Sequence, residues 1–178
     1  MAPEVLYSPL EERDIEELAN ALHSEAVYQY IGGMPTRPDF ELWLRRSIAG
    51  PPSEANGERW INFTARLAAT QEVIGRLEAN IHNNFAEVAF LYNPKFWGRG
   101  YAMQGLQWLH RQLAEHNGVH SFWATTHVEN RRSASLLLRN GYVSAVTHDL
   151  PVLYSYEAGD LVFTRGVASP LAQAQRHR

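Results

Sequence analysis

The sequence predicts a mixed α/β (α+β) fold, and three observations carry that prediction. Apolar residues recur at helical spacing over residues 10–24 and 101–118. The pattern turns strand-like over 60–69, 72–82 and 86–92, with only short turns between the segments, which reads as a hairpin-rich middle. The C-terminal half then runs strand, helix, strand, helix, strand. At 178 residues the chain is long enough to bury a sizeable core. No repeat or linker separates a second unit, so residues 1–178 are expected to form a single domain.

In chain order, residues 4–9 read as a first strand. In "LEERDIEELANALHS", Ile15, Leu18, Ala19 and Leu22 mark one face of a helix whose first turn is acidic, as the helix dipole favours. The two glycines and Pro35 of "YIGGMPTRP" make a loop, and Phe40, Leu42, Trp43 and Leu44 suggest a second helix ending near Gly50. Two strands flank a turn near Thr70 and Gln71, and polar "HNN" leads to a third, "AEVAFLY", which Asn93 and Pro94 end because proline cannot donate to a ladder. Met103, Leu106, Leu109 and Leu113 define the next helix, with Gly118 as its C-cap. Strands are expected over 120–128, 142–150 and 160–167, and a short helix over 130–141. The tail 168–178 shows no apolar pattern and is expected to fray.

Composition excludes several function classes. A net charge of -3 shows no basic footprint for nucleic acid. The absence of cysteine removes disulfides, thiolate nucleophiles and cysteine-based zinc sites. None of the eight histidines has metal-ligand spacing with a partner. No stretch approaches a membrane span, and "MAPEVLYSPL" lacks the features of a secretory leader, so a cytoplasmic location without a membrane partner is the default.

The stretch "NPKFWGRGYA" places two glycines between a strand and a helix. Such a turn gathers unpaired backbone N–H groups at a helix start, where an anion such as a diphosphate fits. The same glycines could serve only a tight strand-to-helix turn. The pattern is neither a phosphate loop, which needs Gly-Lys-Ser/Thr, nor a three-glycine dinucleotide fingerprint.

Residues 86–102, "AEVAFLYNPKFWGRGYA", resemble the signature of the GNAT superfamily of N-acetyltransferases, on the branch that includes the ribosomal-protein N-terminal acetyltransferases. That family carries Gln/Arg-x-x-Gly-x-Gly/Ala between its fourth strand and the next helix. The matching positions are Lys95, Phe96, Trp97, Gly98, Arg99 and Gly100, with lysine departing from the first. A second block, "VENRRSASLLLRNGY", is similar to the family's later Asn-x-x-Ser-x-x-Leu helix through Asn130, Ser133, Leu136, Gly141 and Tyr142. The resemblance implies a mixed central sheet of six or seven strands, flanked by about four helices, with the fourth and fifth strands splayed. It also implies acetyl-CoA as cosubstrate, its arm bonded by the backbone of Phe90, Leu91 and Tyr92, with the Phe90 amide polarising the thioester carbonyl. Lys95, Trp97, Gly98, Arg99, Gly100, Tyr101 and Ala102 would surround its diphosphate. Asn130 would contact the arm in addition to capping its helix. Where many relatives have a tyrosine acid, this chain has Leu137, which leaves Ser133 as the candidate proton donor to the leaving thiolate.

The implied reaction is attack of a neutral primary amine on the thioester, so a group that takes the ammonium's proton is required. Glu78 and Glu87 are the candidate carboxylates, with His82 and His127 as weaker ones. Strand alternation sets Glu87 on the face of Ala89 and Leu91, opposite Phe90, unless a bulge in that strand reverses the parity. Acceptor walls are expected from "HSEAVYQYIGGMPTRP" and "PVLYSYEAG", with Tyr28, Tyr30 and Tyr154 framing the substrate. The acceptor expected from the branch is a peptide or protein N-terminal amine. A small amine, an amino acid, polyamine or antibiotic, is the alternative. A non-catalytic acyl-CoA sensor and a simple phosphate-binding module are further readings. Oligomeric state stays open, a homodimer included.

Overall fold

The computed structural model describes residues 3–52, 57–146, 148 and 150–167. The expected fraying of 168–178 falls outside them. Among the described residues, seven strands form one sheet: β1 (Val5–Pro9), β2 (Arg59–Leu67), β3 (Val73–His82), β4 (Phe85–Tyr92), β5 (Ser121–Thr126), β6 (Val143–Ser144) and β7 (Leu161–Gly166). Their order is β1-β2-β3-β4-β5-β7-β6, and every neighbouring pair is antiparallel except the parallel β4–β5 pair. Both hairpin turns rest on residues with positive φ, Gln71 at 60° between β2 and β3 and Asn83 at 53° between β3 and β4. Asparagine is among the few non-glycine types that adopt this conformation readily.

The helices are α1 (Ile15–Leu22), α2 (Glu25–Tyr28), α3 (Arg37–Ala49), α4 (Tyr101–Asn117) and α5 (Arg131–Arg139). α3 begins where the Thr36 side chain accepts a hydrogen bond from the Asp39 amide, and it stops at Gly50 with φ 83°. α4 ends at Gly118 in the left-handed region, whose amide bonds the Leu113 carbonyl.

Two cores lie on opposite faces of the sheet. On one, Ile15, Leu18 and Leu22 of α1 meet Phe40 and Leu44 of α3 over Val73. On the other, Leu106, Leu109 and Leu113 of α4 and Leu136 and Leu137 of α5 pack on Leu77, Ile81, Val88 and Phe122. Each fully buried leucine contributes about 1.5–3 kcal/mol by its removal from water. α4 approaches the sheet closely because Gly105 faces Tyr92: a Cβ there would collide with the tyrosine hydroxyl and meet Leu77 at 3.2 Å.

Two elements differ from the sequence expectation. Among the described residues of the strand expected over 142–150, Val143–Ser144 alone pair, with β7 at the edge of the sheet. Val143 is 62% and Val146 65% exposed, so the alternation there meets no core that would extend the pairing. α2 is an additional single turn that buries Val27 between two otherwise correctly placed helices.

Candidate active site

The β4–β5 pairing sets the site. It runs only from Phe85↔Ser121 to Glu87↔Trp123, while β4 continues to Tyr92 and β5 to Thr126. Beyond Glu87 the two strands diverge, leaving a seam open toward the C-terminal end of β4. The β3–β4 register is unbroken from Gly75↔Tyr92 to His82↔Phe85, so no bulge against β3 alters the parity of β4. The Asn93 amide bonds the Ile74 carbonyl on the β3 side. Alternation therefore turns the Leu91 and Ala89 backbone toward β3 and that of Phe90 and Tyr92 toward the seam. The Tyr92 carbonyl is already taken: the Trp97 indole donates to it at 2.7 Å. Phe90 thus offers both backbone groups to the seam and Tyr92 its amide, while Leu91 packs by its side chain beside the α1–α3 core.

The seam runs onto the glycine turn. Gly98 and Gly100 have φ of 76° and 85°, and a Cβ on either would meet nothing within 4 Å. That conformation costs other L-residues about 1–2 kcal/mol, which explains glycine at both places. The Gln104 amide makes the first helical bond, to the Gly100 carbonyl, so the amides of Tyr101, Ala102 and Met103 lack helical partners. The Tyr101 ring is buried edge-on against Phe96, leaving its backbone as the exposed part of its chemistry. Arg99 is exposed at the turn, and the Arg132 guanidinium lies 4.1 Å over the Trp97 ring. Lys95 is directed elsewhere, its Nζ 2.8 Å from the Glu72 carboxylate. Open space over two glycines, free amides at a helix start and two arginines fit a diphosphate.

α5 begins against this turn. The Asn130 side chain caps it, accepting from the Ser133 amide at 3.2 Å. Ser133 is half-buried in the first turn, whereas Leu137 is 1% exposed within the α4–α5 core. A leucine so placed supplies packing and no proton.

The opposite face of the sheet carries the carboxylates. Register places Glu78 beside Ala89, one strand from the seam at the level of the Phe90 amide. Its side chain is 28% exposed, and Oε2 lies 2.7 Å from Nη2 of the buried Arg76. Glu87 is more enclosed. Oε1 accepts from the amide and hydroxyl of Ser155 at 3.0 and 2.9 Å, and Oε2 lies 2.7 Å from His82 Nε2. Tyr154 joins this cluster edge-on to His82, its hydroxyl donating to Glu58 at 3.1 Å, and that hydrogen bond, followed by the charge of Glu58, raises its pKa. Tyr28 stands edge-on to Phe40, and burial pushes its phenol up to about 12. Tyr30 stacks on His127 at 5.7 Å, linking the loop after α2 to the end of β5. Glu78 and Ser133 thus lie toward opposite faces of the sheet, with the seam between them.

Comparison with known proteins agrees with this geometry. Residues 4–143 match the model of the acetyltransferase (GNAT) domain. The chain belongs to the GNAT acetyltransferase family. No curated protein matches it in sequence. Solved structures share the GNAT fold at low identity. One is a GNAT-family acetyltransferase from Bacillus anthracis, 18% identical with a TM-score of 0.73, covering 93% of this chain and 96% of that one. Another is RimL, a ribosomal L7/L12 alpha-N-protein acetyltransferase in complex with coenzyme A, at 15% identity and TM-score 0.74, covering 92% and 94%. A third, from Salmonella typhimurium, modifies the N-terminal serine of ribosomal protein L7/L12, at 16% identity and TM-score 0.74, covering 92% and 95%.

Within this GNAT domain the structure adds residues that sequence reading passed over. Arg132 follows the capping asparagine, but only folding sets it on Trp97. Arg76, Asn62, Trp43 and Ser155 come from four separate segments, and no local pattern joins them. The alternation that puts Arg76, Glu78 and His82 on one face of β3 was the one signal available.

Proposed function

We propose that the protein is an acetyl-CoA-dependent N-acetyltransferase whose acceptor is the α-amine of a peptide or protein, acting in the cytoplasm. The observation that carries this reading is the open β4–β5 seam leading to the glycine turn at the start of α4. Acetyl-CoA supplies an activated acetyl group as a thioester. The diphosphate binds the amides from Gly98 to Met103, with Arg99 and Arg132 adding charge. The pantetheine arm lies along Phe90 and Tyr92 as an added strand would, and the Phe90 amide donates to the thioester carbonyl. Asn130 holds the first turn of α5 so that the Ser133 hydroxyl is available to the leaving sulfur. From the other face, Glu78 takes the proton of the acceptor ammonium, directly or through one water.

Glu78 suits this role better than Glu87, whose two oxygens are both engaged by Ser155 and His82. Glu87 instead ties the 154–155 segment to the sheet as an acceptor wall. The fold's likeness to two enzymes that acetylate a ribosomal protein supports a peptide acceptor. The test is thiol release from acetyl-CoA with serine-initiated peptides, free amino acids, polyamines and aminoglycosides. Release with peptides alone is expected. Release with a small amine alone overturns the acceptor class, and absence of coenzyme A binding by calorimetry overturns the enzyme reading.

A further inference from the structure

Arg76 is a buried cation in the middle of β3, 1% exposed, and it has no part in the reaction as described above. Its Nη2 lies 2.7 Å from Asn62 Oδ1, 3.1 Å from Ser47 Oγ and 2.7 Å from Glu78 Oε2. The guanidinium lies 4.2 Å from the centre of the Trp43 ring. Nε and Nη1 are buried without a partner among the described residues. Leaving two buried donors unmade is costly, and an apolar side chain usually serves a core better than a buried ion pair. Only one of Arg76's neighbours reaches the proposed acceptor face with charge, and that is Glu78.

We infer that Arg76 is a positioning residue for acetyl transfer: anchored by Asn62, Ser47 and Trp43, it holds the Glu78 carboxylate over the seam. The inference rests on the assignment of Glu78 as the proton acceptor. Around Glu78 the flanking cross-strand residues, Asn62 and Ala89, are uncharged. The Tyr28 phenol is the other ionisable group beside the pair, and the Glu87–His82 pair lies further along the same face. Arg76 is therefore the cation that fixes the orientation of Glu78. All three polar contacts converge on a single nitrogen, so a lysine ammonium, one bond shorter, restores the positive charge beside Glu78 but not the stacking on Trp43, and a methionine restores neither.

The experiment measures turnover with a serine-initiated hexapeptide and acetyl-CoA for Arg76→Met, Arg76→Lys, Glu78→Gln and the double variant Arg76→Met/Glu78→Gln. Thermal melting and coenzyme A binding are recorded for each. Arg76→Met is expected to lower kcat about tenfold while KM for acetyl-CoA holds, because a carboxylate displaced by about 1 Å loses much of its effect. Arg76→Lys should recover part of that loss, because it keeps the charge beside Glu78 without the Trp43 stacking. In the Glu78→Gln background, Arg76→Met should add nothing further. Full additivity in the double variant, with Glu78→Gln itself impaired, overturns the positioning role and leaves Glu78 in place. Normal turnover in Glu78→Gln overturns the proton-acceptor assignment and the inference with it. If Arg76→Met melts too early to assay, Arg76→Lys and Asn62→Leu in the same cycle decide between the two results.

Discussion

On the α4–α5 side of the seam, the groups proposed for acetyl-CoA are mostly backbone amides, set by two glycines at positive φ and an asparagine cap within one run of sequence and the next. On the α1–α3 side, the groups proposed for the acceptor are side chains from β2, β3, β4, α3 and the 154–155 segment. A cradle made of amides depends on local conformation and tolerates change in most side chains. A face made of side chains depends on each residue and on the elements that bring them together. The difference teaches that one wall of this enzyme is fixed by short motifs, while the other can vary and so can carry specificity.

Variants that separate the two walls test this contrast. Glu78→Gln removes the proposed proton acceptor, and turnover should fall about 100-fold, within the range for general base catalysis, with coenzyme A affinity unchanged by calorimetry. An equal loss of coenzyme A binding would mean the walls are not independent.

The α4 face holds a further, purely structural dependence. His110 is buried, bonded by Nε2 to the Tyr142 hydroxyl at 2.6 Å and by Nδ1 to Arg165. Desolvation, with help from Arg165 and Arg111, pushes its pKa down from 6.5 to about 3. As pH falls through 6.5 the unfolded chain gains a proton that the folded protein refuses until about pH 3. Stability from this site is therefore complete above pH 6.5 and is lost on acidification, by up to about 1.4 kcal/mol per pH unit. Urea midpoints at neutral pH and at pH near 5 should diverge less in His110→Gln than in the wild type. An unchanged acid slope would place the sensitivity elsewhere.

Gly100→Val should weaken coenzyme A binding about tenfold, through backbone strain at φ 85° and a side chain in the open cradle, while the fold persists by circular dichroism. Glu87→Ala frees Ser155 and should raise the acceptor KM about fivefold with a smaller effect on kcat, which steady-state kinetics with a peptide will resolve. Ser133→Ala should slow turnover by about threefold under conditions where chemistry limits, since a thiolate is a competent leaving group without full protonation. Wild-type turnover in that variant would remove Ser133 from the mechanism.

Much of this was legible in the chain itself. The helical period of Leu106, Leu109 and Leu113, the alternation in the middle strands and the glycines at 98 and 100 each act through near neighbours, so the longer helices, the hairpins and the glycine turn follow from local spacing. The short α2 escapes the sequence pattern because a single helical turn leaves almost no period, and the strand expected over 142–150 is longer than β6 because Val143 and Val146 lie exposed at the sheet edge and bury nothing there. Both candidate carboxylates could be listed from sequence, but not ranked. What separates them is a Ser155 contact made across 68 residues and an Arg76 held between α3 and β2. The sequence alone determined the longer elements, the family resemblance and the glycine turn, because those depend on spacing within a few residues. Tertiary structure decided where the seam opens, that both oxygens of Glu87 are engaged while Glu78 is paired to Arg76, and what anchors that arginine, because those depend on strand register and on contacts between distant segments.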